Sequence, residues 1–318
     1  YRGAAYLGKQ DKVKARESFE QALKRDAAFF PAAANLAQLD LQDGQPAQAR
    51  QRLESVLKAD PRNLNAMLSL ADLSLRGKDE AGYVKWLEKA ASTHPEALQP
   101  RIMLARYLLA KGDRNRALTV AREAVNAHPN SPAALDLLGT AQLALGDTTN
   151  ALASYRKLQD VMPKSAAPLL KLATAQIVAK DREGARKSLT DALRIQPGFV
   201  DAQLMLGGLD VQNGRIEDAN KIAKQIQTAN PDNPLGYILE GDAAYAARNY
   251  TAALAAFERA QSRQPSGAWL IRQLSAFNAL QRPEDGEQRM LRWLQTHPQD
   301  GSVRAALAEN LLKRKQYK

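Results

Sequence analysis

The sequence predicts an all-α protein built from repeated helix pairs, and three observations carry that prediction. Good helix formers, namely Ala, Leu, Lys, Arg, Gln and Glu, dominate the 318 residues. Apolar residues recur with a period near 3.6, as in Leu70, Ala71, Leu73 and Leu75. Prolines recur every 34 residues, which is the length of one helix–turn–helix unit. These prolines are Pro61, Pro95, Pro129, Pro163, Pro197, Pro231 and Pro265.

Three further columns share the 34-residue period. The first is small: Gly3, Ala37, Ala71, Ala105, Gly139, Ala173, Gly207, Gly241, Ser275 and Ala308. The second is mostly alanine: Ala15, Ala49, Tyr83, Ala117, Ala151, Ala185, Ala219 and Ala253. The third is mostly leucine: Leu36, Leu70, Leu104, Leu138, Leu172, Leu206, Glu240 and Leu274. Short side chains let two helices approach closely, so these columns indicate the contact between paired helices.

Glycine and proline mark the helix ends. Gly44, Gly112, Gly146 and Gly214 fall in mid-repeat, where a first helix would end with a left-handed residue. The prolines that open first helices are Pro31, Pro100, Pro132, Pro168 and Pro234. Pro46 and Pro283 are expected in the turns between paired helices. Because Pro298 follows Pro265 after only 33 residues, we place one missing residue in the Arg282–Pro283 turn.

A helix–turn–helix unit with these columns resembles the tetratricopeptide repeat (TPR). One repeat carries most of the family pattern: Tyr237, Gly241, Tyr245, Ala253, Phe257, Ala260 and Pro265. The family's tryptophan near the repeat start is absent, and Met67, Arg101, Leu135, Leu169 and Gln203 stand there instead. The resemblance implies a TPR α-solenoid, a right-handed superhelix whose first helices line the concave side.

The domain prediction is one continuous TPR array over residues 1–318. Its repeats are approximately 1–29 (partial), 30–63, 64–97, 98–131, 132–165, 166–199, 200–233, 234–267, 268–300 and 301–318 (partial). Tyr1 is expected inside a first helix, and neither end shows a polar capping helix. More repeats are therefore expected on both sides.

Residues for catalysis are sparse. The chain has no cysteine, and its three histidines, His94, His128 and His297, each precede a repeat-closing proline. Side chains strung along a repeat array do not converge on one metal ion. Neither a nucleophile–base arrangement nor a phosphate-binding glycine loop is present. We predict no enzyme activity, no cofactor and no metal.

The net charge of +11 permits attraction to anionic partners. Base-reading helical repeats show other inner residues and a period near 35, so nucleic acid is not expected as the main partner. No apolar run reaches the roughly 18 residues of a membrane span. Membrane attachment would need a preceding N-terminal region. A protein or peptide partner is the leading expectation, and direct binding of an anionic polymer, polysaccharide or RNA, is the alternative.

The TPR resemblance directs attention to the inner face of the first helices. Two of the three residue columns on this face are mostly aliphatic, with isolated charges between them. One aliphatic column is Leu41, Leu75, Leu109, Leu143, Ile177, Val211 and Tyr245. The candidate partner-binding residues on the concave face are Asp72, Leu75, Arg106, Leu109, Asp136, Thr140, Leu143, Thr174, Ile177, Asp242 and Tyr245. Burial between neighbouring first helices and an open apolar groove are both compatible with the pattern. The Lys/Asn arrangement with which TPR co-chaperones grip a terminal carboxylate does not recur here.

Two residues depart from their columns. Glu240 replaces leucine, and a buried carboxylate needs a partner, for which Arg272 on the next first helix is a candidate. Tyr83 replaces alanine and is expected to widen its helix contact or to tilt outward.

One stretch is more specific. The segment LDLLGTAQLALGD (135–147) is followed by ALASYRKL (151–158), and WLEKA (86–90) and LEGD (239–242) belong to the same pattern. Together they resemble the large TPR lipoproteins of bacterial PEP-CTERM/exosortase systems, which accompany exopolysaccharide genes. The resemblance implies a non-enzymatic scaffold in the periplasm or outer envelope. The alternatives are a cytoplasmic scaffold and a polysaccharide-secretion scaffold such as the TPR part of a cellulose exporter.

Overall fold

The computed structural model describes residues 2–314, which form nineteen helices and no strand. The first helices of the pairs are α1 (Arg2–Gly8), α3 (Phe30–Gln42), α5 (Leu64–Arg76), α7 (Leu98–Ala110), α9 (Pro132–Ala144), α11 (Ala167–Val178), α13 (Val200–Gln212), α15 (Pro234–Ala246), α17 (Gly267–Ala279) and α19 (Gly301–Lys313). The second helices are α2 (Lys12–Arg25), α4 (Pro46–Ala59), α6 (Glu80–Thr93), α8 (Arg114–Ala127), α10 (Thr148–Val161), α12 (Arg182–Ile195), α14 (Ile216–Ala229), α16 (Tyr250–Arg263) and α18 (Pro283–Thr296). Tyr1, predicted to lie inside a first helix, falls outside the described residues.

The predicted all-α fold is confirmed. From α3 to α15 the helix starts keep the predicted spacing to within one residue. Pro46 and Pro283, predicted in turns, are instead the first residues of α4 and α18. The first turn of a helix leaves its N–H groups without intrahelical partners, so a residue that lacks an N–H fits there.

The turn within each helix pair contains one residue in the left-handed region. Glycine fills it at Gly44, Gly112, Gly146 and Gly214, with φ between 72° and 80°, as predicted. Five other turns place a residue with a side chain there at φ of 59–63°: Gln10, Lys78, Lys180, Arg248 and Gln281. The sequence pattern alone did not reveal these five, because only glycine is a recognisable marker of the conformation.

The residue after this position often caps the second helix. Asp11, Asp79, Asp113 and Asp181 each accept a hydrogen bond from the backbone N–H three residues ahead. A carboxylate at this place satisfies an otherwise unpaired donor and favours the positive end of the helix dipole. The turn therefore fixes where each second helix begins.

Replacing Lys180 by glycine is expected to stabilise the protein. Lys180 has φ of 63°, a conformation that costs a residue with a side chain about 1–2 kcal/mol. The more flexible unfolded chain offsets part of that gain, so the net increase in unfolding free energy should be up to about 1 kcal/mol. Urea unfolding measures it. The matched change Gly146→Lys at the corresponding turn should destabilise, and the same sign for both changes would contradict this explanation.

The described residues form two compact units, which divide between Val161 and Met162. In the first unit, core clusters join each helix pair to the next, as with Leu53 and Met67 or Leu87 and Leu104. In the second unit, one cluster runs from Leu169 on α11 to Ala243 on α15, and others continue to α19.

Small residues on first helices face large residues on second helices. A Cβ on Gly139 would come within 2.6 Å of the Tyr155 ring, and a Cβ on Gly241 would overlap the Phe257 ring. Both rings are buried, at 2% exposure each. At these two positions the first helix needs glycine because an aromatic ring packs against its backbone, which gives this part of the predicted small column its physical reason.

The missing residue lies in a different turn from the one predicted. Four residues separate α14 from α15, whereas only residues 264–266 separate α16 from α17. The later columns therefore shift by one, so Ser275 is exposed and Leu274 takes the small position. Leu274 fits because Gly286 stands opposite, where a Cβ would meet Leu274 Cδ1 at 2.8 Å.

The Tyr83 ring does not tilt outward. Its side chain is 6% exposed and packs edge-on against Tyr107, with ring centroids 4.8 Å apart. Small neighbours, Ala71 and Ala117, share its core cluster and leave room for the ring. The expected outward tilt is therefore wrong.

Candidate partner-binding face

The first helices of the first unit form an open groove of about 490 Å³. Its lining comes from α3, α5 and α7, with one residue from α4. The lining residues are Phe30, Ala34, Ala37, Gln38, Leu41, Leu53, Asn65, Leu68, Ser69, Asp72, Leu73, Arg76, Gln99 and Met103. Eight of these residues are apolar and six are polar or charged, so the groove offers apolar contact together with hydrogen-bonding groups. Among the candidate residues of the sequence analysis, it contains Asp72.

Side chains of the predicted inner columns remain accessible. Leu75 in the first unit is 40% exposed, and Ile177 and Tyr245 in the second unit are 38% and 37% exposed. Leu109 and Leu143 are half-buried. Leu75, Ile177 and Tyr245 are therefore accessible, whereas Leu109 also packs against the neighbouring core. We call the exposed side of the first helices in either unit the first-helix face.

In the first unit, the charges on this face differ in their pairing. Asp72 accepts a hydrogen bond from Arg76 Nε at 2.8 Å, one turn along the same helix. Arg106 is exposed, and no ion pair neutralises it within residues 2–314. Asp136 is half-buried, and its carbonyl accepts a hydrogen bond from Thr140 at 2.8 Å. The Arg106 guanidinium is thus available to an acidic group of a partner.

In the second unit, Asp242 and Arg272 form a pair across α15 and α17. Arg272 Nε donates to Asp242 Oδ1 at 3.0 Å. Burial raises the pKa of Asp242 above its ordinary value, and Arg272 opposes that rise without cancelling it. Thr174 is half-buried and donates to the carbonyl of Leu170 at 2.9 Å, so its hydroxyl is satisfied within its own helix.

Replacing Arg272 by methionine is expected to raise the pKa of Asp242 further, because the positive charge that opposes the rise is removed. A raised pKa means that folding favours the protonated carboxyl. Asp242 therefore contributes most to stability at pH values below its pKa in the unfolded chain. That contribution is lost as the pH rises through its pKa in the folded protein. Carboxyl-carbon NMR measures the titration. An unchanged or lower pKa in the Arg272→Met variant would contradict the assignment.

Glu240 is paired differently from the prediction. Its carboxylate is half-buried and accepts hydrogen bonds from Gln227 Nε2 and Arg259 Nη2, each at 2.7 Å. Arg272, the expected partner, binds Asp242 instead. Glu240 can replace leucine because it lies beside second helices that carry both donors.

The histidines have structural contacts. His94 Nε2 lies 2.5 Å from the carbonyl oxygen of Arg62, and His128 Nε2 lies 2.8 Å from that of Glu96. Because a carbonyl only accepts, each imidazole donates and ties one inter-repeat turn to the preceding one. Within residues 2–314, no three His, Asp or Glu side chains are placed to hold a metal ion. Across the same range, every helix is too short or too polar to cross a membrane.

A recurring hydrogen bond to the repeat-closing proline escaped the sequence analysis. Arg101 Nη1, Gln203 Nε2 and Tyr237 Oη each donate to the proline carbonyl six residues earlier, at 2.9, 3.0 and 3.2 Å. All three stand where the TPR family has its tryptophan. The shared position was visible in the sequence, but the carbonyl it reaches was not.

A buried carboxylate joins consecutive helix pairs in each unit. Asp40 is fully buried and accepts hydrogen bonds from Arg16 Nη1 at 2.6 Å and Arg52 Nε at 2.5 Å. In the second unit, Asp210 accepts one from Arg186 Nε at 2.8 Å. Position 222, which corresponds to Arg52, is isoleucine there. These pairs stabilise the helix pairs that carry the first-helix face.

The chain matches two known family profiles. Residues 2–239 match the profile described as the second ARM domain of tetratricopeptide repeat protein 21, and residues 238–301 match a tetratricopeptide repeat profile. No curated protein sequence matches the chain.

Among solved structures, a tetratricopeptide repeat protein from Parabacteroides merdae is 15% identical, with a TM-score of 0.54 over 93% of this chain and 99% of its own. PilW, a type IV pilus biogenesis factor, is 17% identical, with a TM-score of 0.53 over 66% of this chain and 98% of its own. The pilF protein of Pseudomonas aeruginosa is 19% identical, with a TM-score of 0.50 over 67% and 98%. At these identities the likeness establishes the fold alone. With the two profile matches spanning residues 2–301, the chain belongs to the tetratricopeptide repeat family.

Proposed function

We propose that this protein is a non-enzymatic scaffold that holds a protein or peptide partner on its first-helix face. Proteins of the TPR family serve as protein-interaction scaffolds and bind peptides or proteins. The observation that carries the proposal is the accessible aliphatic groove across α3, α5 and α7. Such a groove suits the apolar side of a helix or alternate side chains of an extended peptide.

Charge contributes specificity to this binding. Apolar contact alone lets a ligand slide along a groove, whereas a single unpaired charge fixes its register. Arg106, on the helix that closes the groove, is exposed and unneutralised within residues 2–314. The partner segment is therefore expected to carry an acidic residue beside its apolar ones.

The more specific role within the family is a scaffold of bacterial envelope machinery, either a PEP-CTERM/exosortase system or an exopolysaccharide exporter. Its support is the residue pattern of segments 86–90, 135–158 and 239–242. We propose that residues 1–318 form one continuous TPR array. Deleting the gene should lower surface exopolysaccharide, measured by carbohydrate quantification, and an unchanged amount would contradict the envelope role.

Charge placed on the first-helix face should abolish partner capture. Leu75→Glu puts a carboxylate on the aliphatic column, and Arg106→Glu reverses the unpaired charge. Both side chains are exposed, so the helical circular dichroism and melting temperature should stay unchanged. The measurement is affinity capture of the partner from the native cells with mass-spectrometric quantification, with losses of at least about tenfold expected.

Lys85→Glu is the matched control, because Lys85 is also exposed but lies on second helix α6. It should retain the partner. If Lys85→Glu lost the partner while Leu75→Glu and Arg106→Glu kept it, the first-helix face would be the wrong site. A captured polysaccharide or RNA whose binding falls steeply with added salt would favour the anionic-polymer alternative.

A further inference from the structure

A second groove lies on the opposite side of the first unit, between second helices α6 and α8 and above α7. It encloses about 310 Å³ and is separate from the first-helix face. Its lining residues are Glu88, Ala91, Ser92, Arg101, Leu104, Arg116, Thr119, Val120 and Glu123. We call it the outer groove.

Arg101 forms part of the floor of the outer groove and is only 9% exposed. Its Nη1 donates to the carbonyls of Pro95 and Ala97, which fixes the guanidinium plane. Its Nε is fully buried and has no hydrogen-bond partner. A buried donor on a charged group costs free energy when it is left unpaired.

The charge of Arg101 is not needed for the structural bond. Gln203 and Tyr237 make the same bond to a repeat-closing proline with neutral groups. Met67 and Leu135 occupy the position with no polar group at all, and both are buried. The guanidinium therefore adds a positive charge to the groove beyond what the fold requires.

The rest of the groove separates apolar from charged groups. Ala91, Leu104 and Val120 contribute aliphatic lining. At the rim, Arg116 is already paired with Glu88 at 2.8 Å. Glu123 forms an ion pair with Arg101, but its Oε2 lies 3.8 Å from Nε, beyond hydrogen-bond reach, and its side chain is 56% exposed.

We propose that the outer groove binds a carboxylate carried on a small aliphatic group. The ligand carboxylate takes the place of the Glu123 carboxylate, whose exposed side chain turns toward solvent and uncovers Arg101 Nε. One carboxylate oxygen then accepts the hydrogen bond from Nε, and the aliphatic part packs against Leu104 and Val120. The carboxylate belongs either to a free organic acid or to the C-terminus of a peptide that ends in an aliphatic residue. Charge-assisted hydrogen bonds of this type are short and strong.

The test follows the Nε–Hε resonance of Arg101 by ¹⁵N NMR in the full chain. The probes are isovalerate for the free acid and acetyl-Ala-Leu for the peptide terminus, each compared with its uncharged amide. The acids should shift the resonance and the amides should not. Tighter binding of the dipeptide by about tenfold or more assigns the site to a peptide terminus, and comparable or tighter binding of isovalerate assigns it to a free acid.

Two variants make the result decisive. Arg101→Gln keeps a donor for the Pro95 carbonyl, as Gln203 does for Pro197, so the chain should stay folded by circular dichroism and lose acid binding. Glu123→Gln removes the competing carboxylate and should tighten acid binding by roughly threefold or more. Unchanged acid binding in Arg101→Gln, equal shifts from acids and amides, or no response up to about 20 mM would overturn the proposal. These results do not test the first-helix face, because that face and the outer groove have different lining residues.

Discussion

Replacing Asp40 by alanine is expected to lower the free energy of unfolding by about 3–5 kcal/mol. Asp40 is fully buried and is the shared acceptor of Arg16 and Arg52, which come from the helices on either side of α3. Its removal leaves two partly buried guanidinium groups without their main counter-charge. Urea unfolding followed by circular dichroism measures the loss, which should appear first in the early helices of the first unit.

Asp72→Ala provides the matched comparison. It also removes an aspartate bonded to an arginine, but that pair is exposed and lies along one helix. Exposed pairs of this kind contribute little to stability, so its effect should be a small fraction of the Asp40 effect. Equal losses for the two changes would show that the buried network is not what holds α2, α3 and α4 together.

Replacing Gly241 by alanine should destabilise the second unit by about 1–3 kcal/mol, even though alanine is the better helix former. The added methyl group would overlap the Phe257 ring, which is fully packed at 2% exposure. The double change Gly241→Ala with Phe257→Leu should restore part of that loss. It recreates the pairing of Ala71 with Leu87, two members of one core cluster in the first unit.

The two single variants and the double variant form a thermodynamic cycle. If residues 241 and 257 contact each other directly, the double variant should be more stable than the sum of the two single losses predicts, by about 0.5–3 kcal/mol. Additive losses would mean that the two side chains do not limit each other, and that the small column has some other cause. Thermal unfolding gives the four stabilities that the cycle needs.

Much of the fold was predictable because every repeat forms the same helix pair with the same turns and packing contacts. The proline spacing placed the helix starts, and glycine identified four of the left-handed turns. Lys180 and Arg248 occupy the same conformation without any sequence marker, because the turn imposes it on whichever residue is present. The shortened turn before Gly267 was misplaced because Ser275 looked like a member of the small column. Only the packing of Leu274 on Gly286 shows otherwise.

The candidate sites were less predictable. Exposure of Leu75 and Tyr245 depends on how neighbouring first helices pack, which residue type does not report. The partner of Glu240 was misjudged because the sequence shows which helices are neighbours but not which neighbour a side chain points to. Arg101 was noted only as a departure from the family's tryptophan, since neither its bond to Pro95 nor its unpaired Nε has a sequence signature.

The central claim is that a protein partner lies on the first-helix face, and site-specific photo-crosslinking in living cells tests it most directly. A benzophenone amino acid is placed at Gln38, an exposed residue of the groove, and in a separate strain at Lys85 on the outer side of α6. We expect a discrete protein adduct from position 38 that disappears with Arg106→Glu, and none from position 85. An adduct from position 85 alone, or one at position 38 that persists with Arg106→Glu and Leu75→Glu, would contradict it.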